Sequence, residues 1–341
     1  MTKVYVGMSG GVDSSLAAAL LVEAGYEVTG VYMKNWTEDL PGMKCPWSDD
    51  LADAKRVAVQ LGIDLKVFDF EAEYRHKVVE YMIDEYKMGR TPNPDIMCNQ
   101  EVKFKLFLET ALADGADMIA TGHYARVQGG KLLRAVDDNK DQTYFLYRVT
   151  QSALEKTLFP LGEYTKPQVR EMALERELYT AGKKESMGIC FVGKVGIRDF
   201  LSGYVEQVAG DIVDKDSGEV IGRHDGAIYY TLGQRHGLDI GGGLPYYVVD
   251  KDMDKNIVYV STNLNDETLW RKEVLLKDLH WINGMPEAKD IQIRVRHRAP
   301  LISAILQGST LQLKDQQRAI APGQSVVLYD EDVCLGGGIV A

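Results

Sequence analysis

Hydrophobic positions in the first 200 residues alternate between two rhythms. Short β-branched runs over 4–7, 28–33 and 65–70 predict strands, and helical patterns over 14–24, 50–61 and 72–88 fall between and after them. In the second helical stretch Leu51, Ala54, Val57, Ala58 and Leu61 recur at the spacing of one apolar helix face. Strand then helix, repeated, predicts a parallel sheet covered on both faces. A further strand over 118–121 leads into Gly122-His123-Tyr124. After Gly203 the helical pattern stops. Short strands punctuated at Gly218, Asp225-Gly226, Gly241-Gly242-Gly243, Asn283-Gly284 and Pro322-Gly323 predict all-β structure.

Charge sharpens the division. The 341 residues carry 39 Lys plus Arg against 50 Asp plus Glu, a formal charge of −11. Residues 1–205 contribute −5, 206–275 contribute −6, and 276–341 are neutral. Boundaries are therefore set near 205 and 275. An acidic chain argues against a non-specific DNA coat and leaves room for a local basic track such as Arg294-Val295-Arg296-His297-Arg298. Arg294, Arg296 and Arg298 alternate, so on a strand they would share one face. No stretch reaches the roughly 18 apolar residues of a membrane span. The first residues enter a strand at once, which leaves no room for a signal peptide. Four cysteines do not make a disulfide scaffold, and a cytoplasmic setting is expected.

The segment Gly7-Met8-Ser9-Gly10-Gly11-Val12-Asp13-Ser14-Ser15 joins the first strand to the first helix. Glycines admit an anion close to the backbone, the helix start offers free N–H groups, and Ser9, Ser14 and Ser15 add hydroxyls. No lysine follows the glycines, so this is not G-x-x-x-x-G-K-[ST], and the glycine spacing does not fit G-x-G-x-x-G. Asp13 either assists Mg²⁺ near phosphates or charges the first turn of the helix favourably.

Two cysteines stand in unusual contexts. Cys98 follows Pro92-Asn93-Pro94-Asp95, whose prolines predict a rigid loop just upstream of a helix over 102–113. A thiol there is poised for a lowered pKa, and Asp95 stands three residues away to handle a proton. Cys190 follows Lys183-Lys184, a positive neighbourhood. Cys45 and Cys334 read as inert buried thiols. No C-x-x-C pair occurs, so no metal site is expected.

The S-G-G-x-D-S string resembles the loop of the PP-loop pyrophosphatases, which cleave ATP between the α- and β-phosphates. The wider set is more specific. With Met33-Lys34-Asn35-Trp36, Gly89-Arg90-Thr91-Pro92-Asn93-Pro94-Asp95, Cys98-Asn99, Gly122-His123-Tyr124, Asp141-Gln142-Thr143-Tyr144-Phe145-Leu146, Gly188-Ile189-Cys190-Phe191, Thr231-Leu232-Gly233-Gln234-Arg235 and Cys334-Leu335-Gly336-Gly337-Gly338, the chain resembles the MnmA family of tRNA 2-thiouridylases from end to end.

That resemblance implies a parallel-sheet PP-loop α/β domain over 1–205, a small β domain over 206–275 and a C-terminal, tRNA-contacting β-barrel over 276–341, with ATP-dependent sulfur transfer to the wobble uridine of tRNAs with Lys, Glu or Gln anticodons. ATP, with Mg²⁺, would adenylate O2 of the base. Cys190 would carry the sulfur as a persulfide, and Cys98 would attack it, leaving a Cys98–Cys190 disulfide. Asp95 would act as acid or base. Gly7, Met8, Ser9, Gly10, Gly11, Val12, Asp13, Ser14, Met33 and Gly122 would hold ATP. Asn93, Pro94 and Asp95 would meet the target base, and His123, Lys140, Asp141, Gln142, Arg296, His297 and Gln324 would touch the tRNA. The sulfur would come from an upstream persulfide carrier protein fed by a cysteine desulfurase, with no membrane or DNA partner. Trp36 and Tyr124 are either base platforms or core aromatics. Arg296-His297 replaces what is often an Arg-aromatic pair. A competing arrangement for such enzymes has Cys98, Cys190 and Asp95 holding an iron–sulfur cluster, with two cysteines in place of the usual four. The rival functions are another PP-loop adenylating synthetase and a non-catalytic tRNA-binding module.

Overall fold

The computed structural model describes residues 1–39, 45–184, 196–241, 243–286 and 290–341. Its first sheet is parallel, in the order β3-β2-β1-β4-β7, formed by β1 (Lys3–Gly7), β2 (Glu27–Lys34), β3 (Asp64–Asp69), β4 (Met118–Ala120) and β7 (Thr157–Leu158). Val4 and Val6 of β1 are fully buried, as a strand covered on both faces requires. Helix α1 (Val12–Glu23) is enclosed on two sides. Val12, Leu16 and Ala17 join one apolar cluster, and Ala18 and Leu21 join another with β1. Helix α2 (Trp47–Leu61) buries Ala54, Val57 and Ala58, the expected face, and ends on Gly62 in the left-handed region at φ 66°.

Chain order reverses at β1. The chain moves outward from β1 to β2 on one side, and β4 flanks β1 on the other, with register Val4↔Val28 and Val4↔Met118. A crevice therefore opens beyond the carboxyl end of β1, the usual ligand position of such sheets.

The helical pattern fades after Ile197–Ser202, as expected. Strands β8 (Gly210–Asp214), β9 (Val220–His224), β10 (Tyr247–Asp252) and β11 (Ile257–Ser261) make a separate four-stranded sheet. Strands β12 (Trp270–Trp281), β13 (Asp290–Arg294), β14 (Ile302–Gln307), β15 (Thr310–Arg318), β16 (Ser325–Asp330) and β17 (Val333–Val340) form the barrel, closed by the pairing of β12 with β17. A hairpin of the first domain, β5 (Arg126–Gln128) and β6 (Lys131–Leu133), extends that sheet, because β6 pairs with β17 at Leu133↔Val333 and Leu132↔Cys334. Val327, Tyr329 and Cys334 of the barrel accordingly share an apolar cluster with Cys98, Phe107 and Tyr147.

Two local expectations are corrected. The helix carrying Cys98 begins at Pro94 (α3, Pro94–Met97), so Cys98 lies inside a helical run and opens a π-helical stretch, Cys98–Leu106. The Asn93 side chain accepts from the N–H groups of Asp95 and Ile96, and Pro94 occupies the first turn, where its missing N–H costs nothing. The basic run 294–298 is not one strand face. β13 ends at Arg294, which is buried, and Arg298 turns the backbone at φ 63°.

Candidate active site

The loop after β1 meets the start of α1 as the glycines require. Gly11 caps α1 without any side-chain hydrogen bond, so the first-turn N–H groups face the crevice. Ser14 Oγ accepts from the Ser9 N–H at 3.1 Å and donates to the Gly11 carbonyl at 3.2 Å, bracing the loop. Ser9 itself is exposed at the tip. A Cβ on Gly122 would lie 2.7 Å from Ser14 N and 2.8 Å from the Asp13 carbonyl carbon, so the backbone after β4 forms the opposite wall. A Cβ on Gly7 would lie 3.0 Å from the Met33 methyl, which places Met33 at the same end of the sheet. An uncapped helix start, serine hydroxyls and a glycine-lined wall suit a nucleotide's phosphates.

Asp13 has close partners. Its Oδ1 accepts from Lys166 Nζ at 2.6 Å and from the Tyr124 hydroxyl at 2.8 Å. Lys166 opens α4 (Lys166–Glu175). Sequence reasoning passed over this lysine. The Thr165-x-x-Gln168 capping box marks the helix start, but nothing local points to Asp13.

The helical run that α3 opens reaches the carboxyl end of β1 farther along its length. Phe107, farther along it, would touch a Cβ on Gly7 at 3.6 Å. Cys98 is buried, and Asn99 donates from Nδ2 to the Phe145 carbonyl at 3.0 Å. Burial raises the Asp95 carboxyl above the ordinary carboxylate range, and the charge of Lys103 offsets part of this. The loop before α3 is held by both later domains. The Thr91 N–H donates to the Pro322 carbonyl at 2.9 Å, and the hydroxyls of Thr91 and Thr231 lie 3.2 Å apart. A Cβ on Gly323 would lie 2.7 Å from the Arg90 Cβ. Cys190 lies outside the described residues. Lys183, upstream of it, is bound by Asp50 at 2.8 Å and Asp53 at 2.6 Å, so its charge is already matched.

Residues implied at the tRNA separate by exposure. Arg296 is exposed, while Asn93, Lys140, Gln142, His297 and Gln324 are half-buried. Pro94, His123 and Asp141 are buried. His123 Nδ1 sits 2.7 Å from the Thr121 hydroxyl within an aromatic shell of Phe104 and Phe159, and burial holds it well below the usual imidazole pKa. Asp141 accepts from Arg294 Nη1 at 2.5 Å and from the Thr143 hydroxyl and N–H. Gln142 and Tyr124 exchange hydrogen bonds, the Gln142 N–H to the Tyr124 carbonyl and the Tyr124 N–H to Gln142 Oε1, each at 2.9 Å. The His297 ring lies 4.5 Å from that of Phe145, and burial lowers its pKa to about 4. Trp36 and Tyr124 are core aromatics, 8% and 3% exposed. Cys45 and Cys334 are buried thiols whose pKa burial raises, as expected.

No helix among the described residues is long and apolar enough to cross a membrane. Residues 2–194 match the tRNA methyl transferase HUP domain, 198–262 the tRNA methyl transferase PRC-barrel domain, and 271–340 the aminomethyltransferase beta-barrel domain. The tRNA-specific 2-thiouridylase MnmA of Bacillus cytotoxicus is 49% identical over 354 residues, covering 99% of this chain and 94% of that one. Its namesake in Bacillus cereus is 49% identical over 351 residues, with the same shares. Among solved structures, a 4-thiouridine synthetase in complex with RNA and bound ATP aligns with a TM-score of 0.39 and 18% identity, over 54% of this chain and 43% of that one. Matched along nearly its whole length and in each of its three parts, the chain belongs to the tRNA-specific 2-thiouridylase MnmA family.

Proposed function

We propose that this protein transfers sulfur to C2 of the wobble uridine of tRNA at the expense of ATP. The observation that supports this most is a phosphate-type loop in the same domain as an Asn93-capped helix that carries Asp95 and leads into Cys98, with the segment before that helix braced by both β domains. The matched domain description speaks of methyl transfer and the relatives' names of thiolation. A PP-loop in a chain that also carries Cys98 and Cys190 suits activation and sulfur delivery.

In this reading Gly7 through Ser14, Met33 and Gly122 hold ATP, with Mg²⁺ at the phosphates. ATP supplies an adenylyl group to the uridine O2, releasing pyrophosphate and making that oxygen a leaving group in AMP. Asn93 and Pro94 set the base beside Asp95, whose carboxyl burial holds above the ordinary carboxylate range, as suits a proton-transfer group. Cys190 carries the terminal sulfur of a persulfide received from a carrier protein that a cysteine desulfurase loads. Cys98 attacks the inner sulfur as the outer one is delivered, closing a Cys98–Cys190 disulfide that an external thiol must reduce. Lys140, Gln142, Arg296, His297 and Gln324 meet the tRNA, and Asp141 and His123 support them from within.

In vitro thiolation tests the proposal. Purified protein, a tRNA with a wobble uridine, Mg-ATP and a persulfide donor should yield tRNA retarded in mercury-containing gels. Cys98→Ser and Cys190→Ser should abolish multiple turnover while leaving ATP binding intact. No retarded tRNA from the wild type, or full turnover in both variants, overturns the reading. ATP–pyrophosphate exchange without tRNA would point to an adenylating synthetase instead.

A further inference from the structure

Several arginines of this acidic chain meet carboxylates, as Arg126 and Arg134 meet Asp332 and Arg176 meets Glu23. Arg318, the last residue of β15, does not. Its Cζ lies 4.5 Å from the centroid of the Tyr247 ring, at the start of β10, where the barrel meets the central sheet. Its Nε and Nη2 are buried with no acceptor, and no ion pair engages it among the described residues. A guanidinium carries only donors, so a half-buried one beside an aromatic face is short of an anion.

The turn that follows ties this spot to two others. Ala319 adopts φ 55°, in the left-handed region that a Cβ disfavours, and its carbonyl accepts from Arg296 Nη2 at 2.6 Å. A Cβ on Gly233 would lie 2.5 Å from the Ala319 Cβ, so residues 231–235 pack against the same turn. The Gln234 carbonyl accepts from the N–H of Val248, next to Tyr247, at 3.0 Å. Arg235 is exposed and likewise has no ion pair among the described residues. Farther along β10, Lys251 donates to the Tyr230 carbonyl at 2.7 Å, and burial lowers its pKa to about 8 with no carboxylate holding it up. The seam thus gathers cations whose partners are carbonyls and a ring, beside a segment, 206–275, of formal charge −6.

We propose that this seam is a contact for the phosphate backbone of the tRNA, with Arg318, presented on Tyr247, and Arg235 as its cations. The proposal rests on the tRNA reading above and extends it from the barrel onto the central domain. Exposed Arg296, implied at the tRNA, is anchored on the very turn that Arg318 enters, so the seam continues that surface. Cations spread over two domains match a polyanion with charges at regular intervals, rather than a single small ion. A guanidinium stacked on tyrosine is held in plane and keeps its edge N–H groups for phosphate oxygens.

Binding of a wobble-uridine tRNA to the full chain without ATP, followed by fluorescence anisotropy over a salt series, tests this. The wild type should bind with an affinity that falls steeply with salt. Arg318→Gln should weaken binding roughly tenfold and lower the slope of log affinity against log salt by about 1. Arg318→Lys should keep most of both. Arg235→Gln, at an exposed position on which folding does not depend, should lower the slope likewise and carries the test if Arg318→Gln fails to fold. A residue that only braces the two domains would shift the urea midpoint and leave the salt slope alone, and that outcome overturns the proposal. Unchanged affinity in both folded glutamine variants overturns it too. A wild type that does not bind tRNA overturns the tRNA reading itself.

Discussion

Arg294 of the barrel donates to Asp141 of the first domain at 2.5 Å, and both side chains are almost fully buried. Asp141 stands between Lys140 and Gln142 in the chain, so the pair ties that segment to the barrel. The Arg294 charge is thus internal, whereas Arg296, two residues on, is exposed and donates from Nη2 to the Ala319 carbonyl at 2.6 Å.

Breaking this pair should be costly, because Arg294 alone is a buried, unmatched charge and Asp141 alone keeps Arg134 only at 3.9 Å. Asp141→Asn and Arg294→Met should each lose about 3–5 kcal/mol. The double variant should recover part of that. Urea denaturation of the four proteins gives the coupling. Simple additivity would show that the pair does not act as a unit.

Gly323 is a second long-range prediction. Its φ is +85°, and a Cβ there would press on the Arg90 Cβ at 2.7 Å and the Thr91 N at 2.8 Å. Gly323→Ala should shift the loop that leads to Asp95. Thiolation should fall severalfold or more, while nucleotide affinity in calorimetry stays near the wild-type value. Unchanged thiolation would show that the loop tolerates the shift.

Asp95 should trade stability for chemistry. A carboxyl whose pKa is raised by burial favours its protonated form in the folded state. Stability on its account declines as pH rises from the ordinary carboxylate value, about 3.9, through the raised one. Asp95→Asn should therefore gain on the wild type between pH 4 and pH 7 in denaturation midpoints while losing thiolation. Parallel midpoints across that range would contradict the buried carboxylate.

His297 gives the opposite slope. Its pKa falls to about 4 in the fold, so the unfolded chain takes up the proton first. Stability should decline as pH falls from about 6.5 toward 4. His297→Phe keeps a ring against Phe145 and should flatten that decline, as urea midpoints measured over the range would show.

Much of this was legible from the residues. The strand–loop–helix of the phosphate site and the change to β structure after Gly203 follow from local pattern, whereas closure of the last strands into a barrel follows from the family resemblance. Local pattern sets Cys98 just upstream of a helix, whereas the helical run begins at Pro94 and contains it. Prolines signalled a loop, and the Asn93 cap that turns Pro94 into a first helical residue went unweighed. Arg294 and Lys166 were illegible for another reason. Each takes its meaning from a carboxylate 153 residues away, Asp141 and Asp13, and no local spacing encodes such a pairing. The alternating arginines suggested a strand face, whereas burial of Arg294 and the left-handed turn at Arg298 break it.

The hairpin lent to the barrel has a consequence for biosynthesis. Leu132 and Leu133 leave the ribosome long before Val333 and Cys334, their partners about 200 residues later. Throughout that interval the first domain presents an open strand edge, the kind of surface on which nascent chains stick to one another. The last strand to be made is the one that seals it, so a truncated chain would be left with an adhesive first domain as well as a missing barrel.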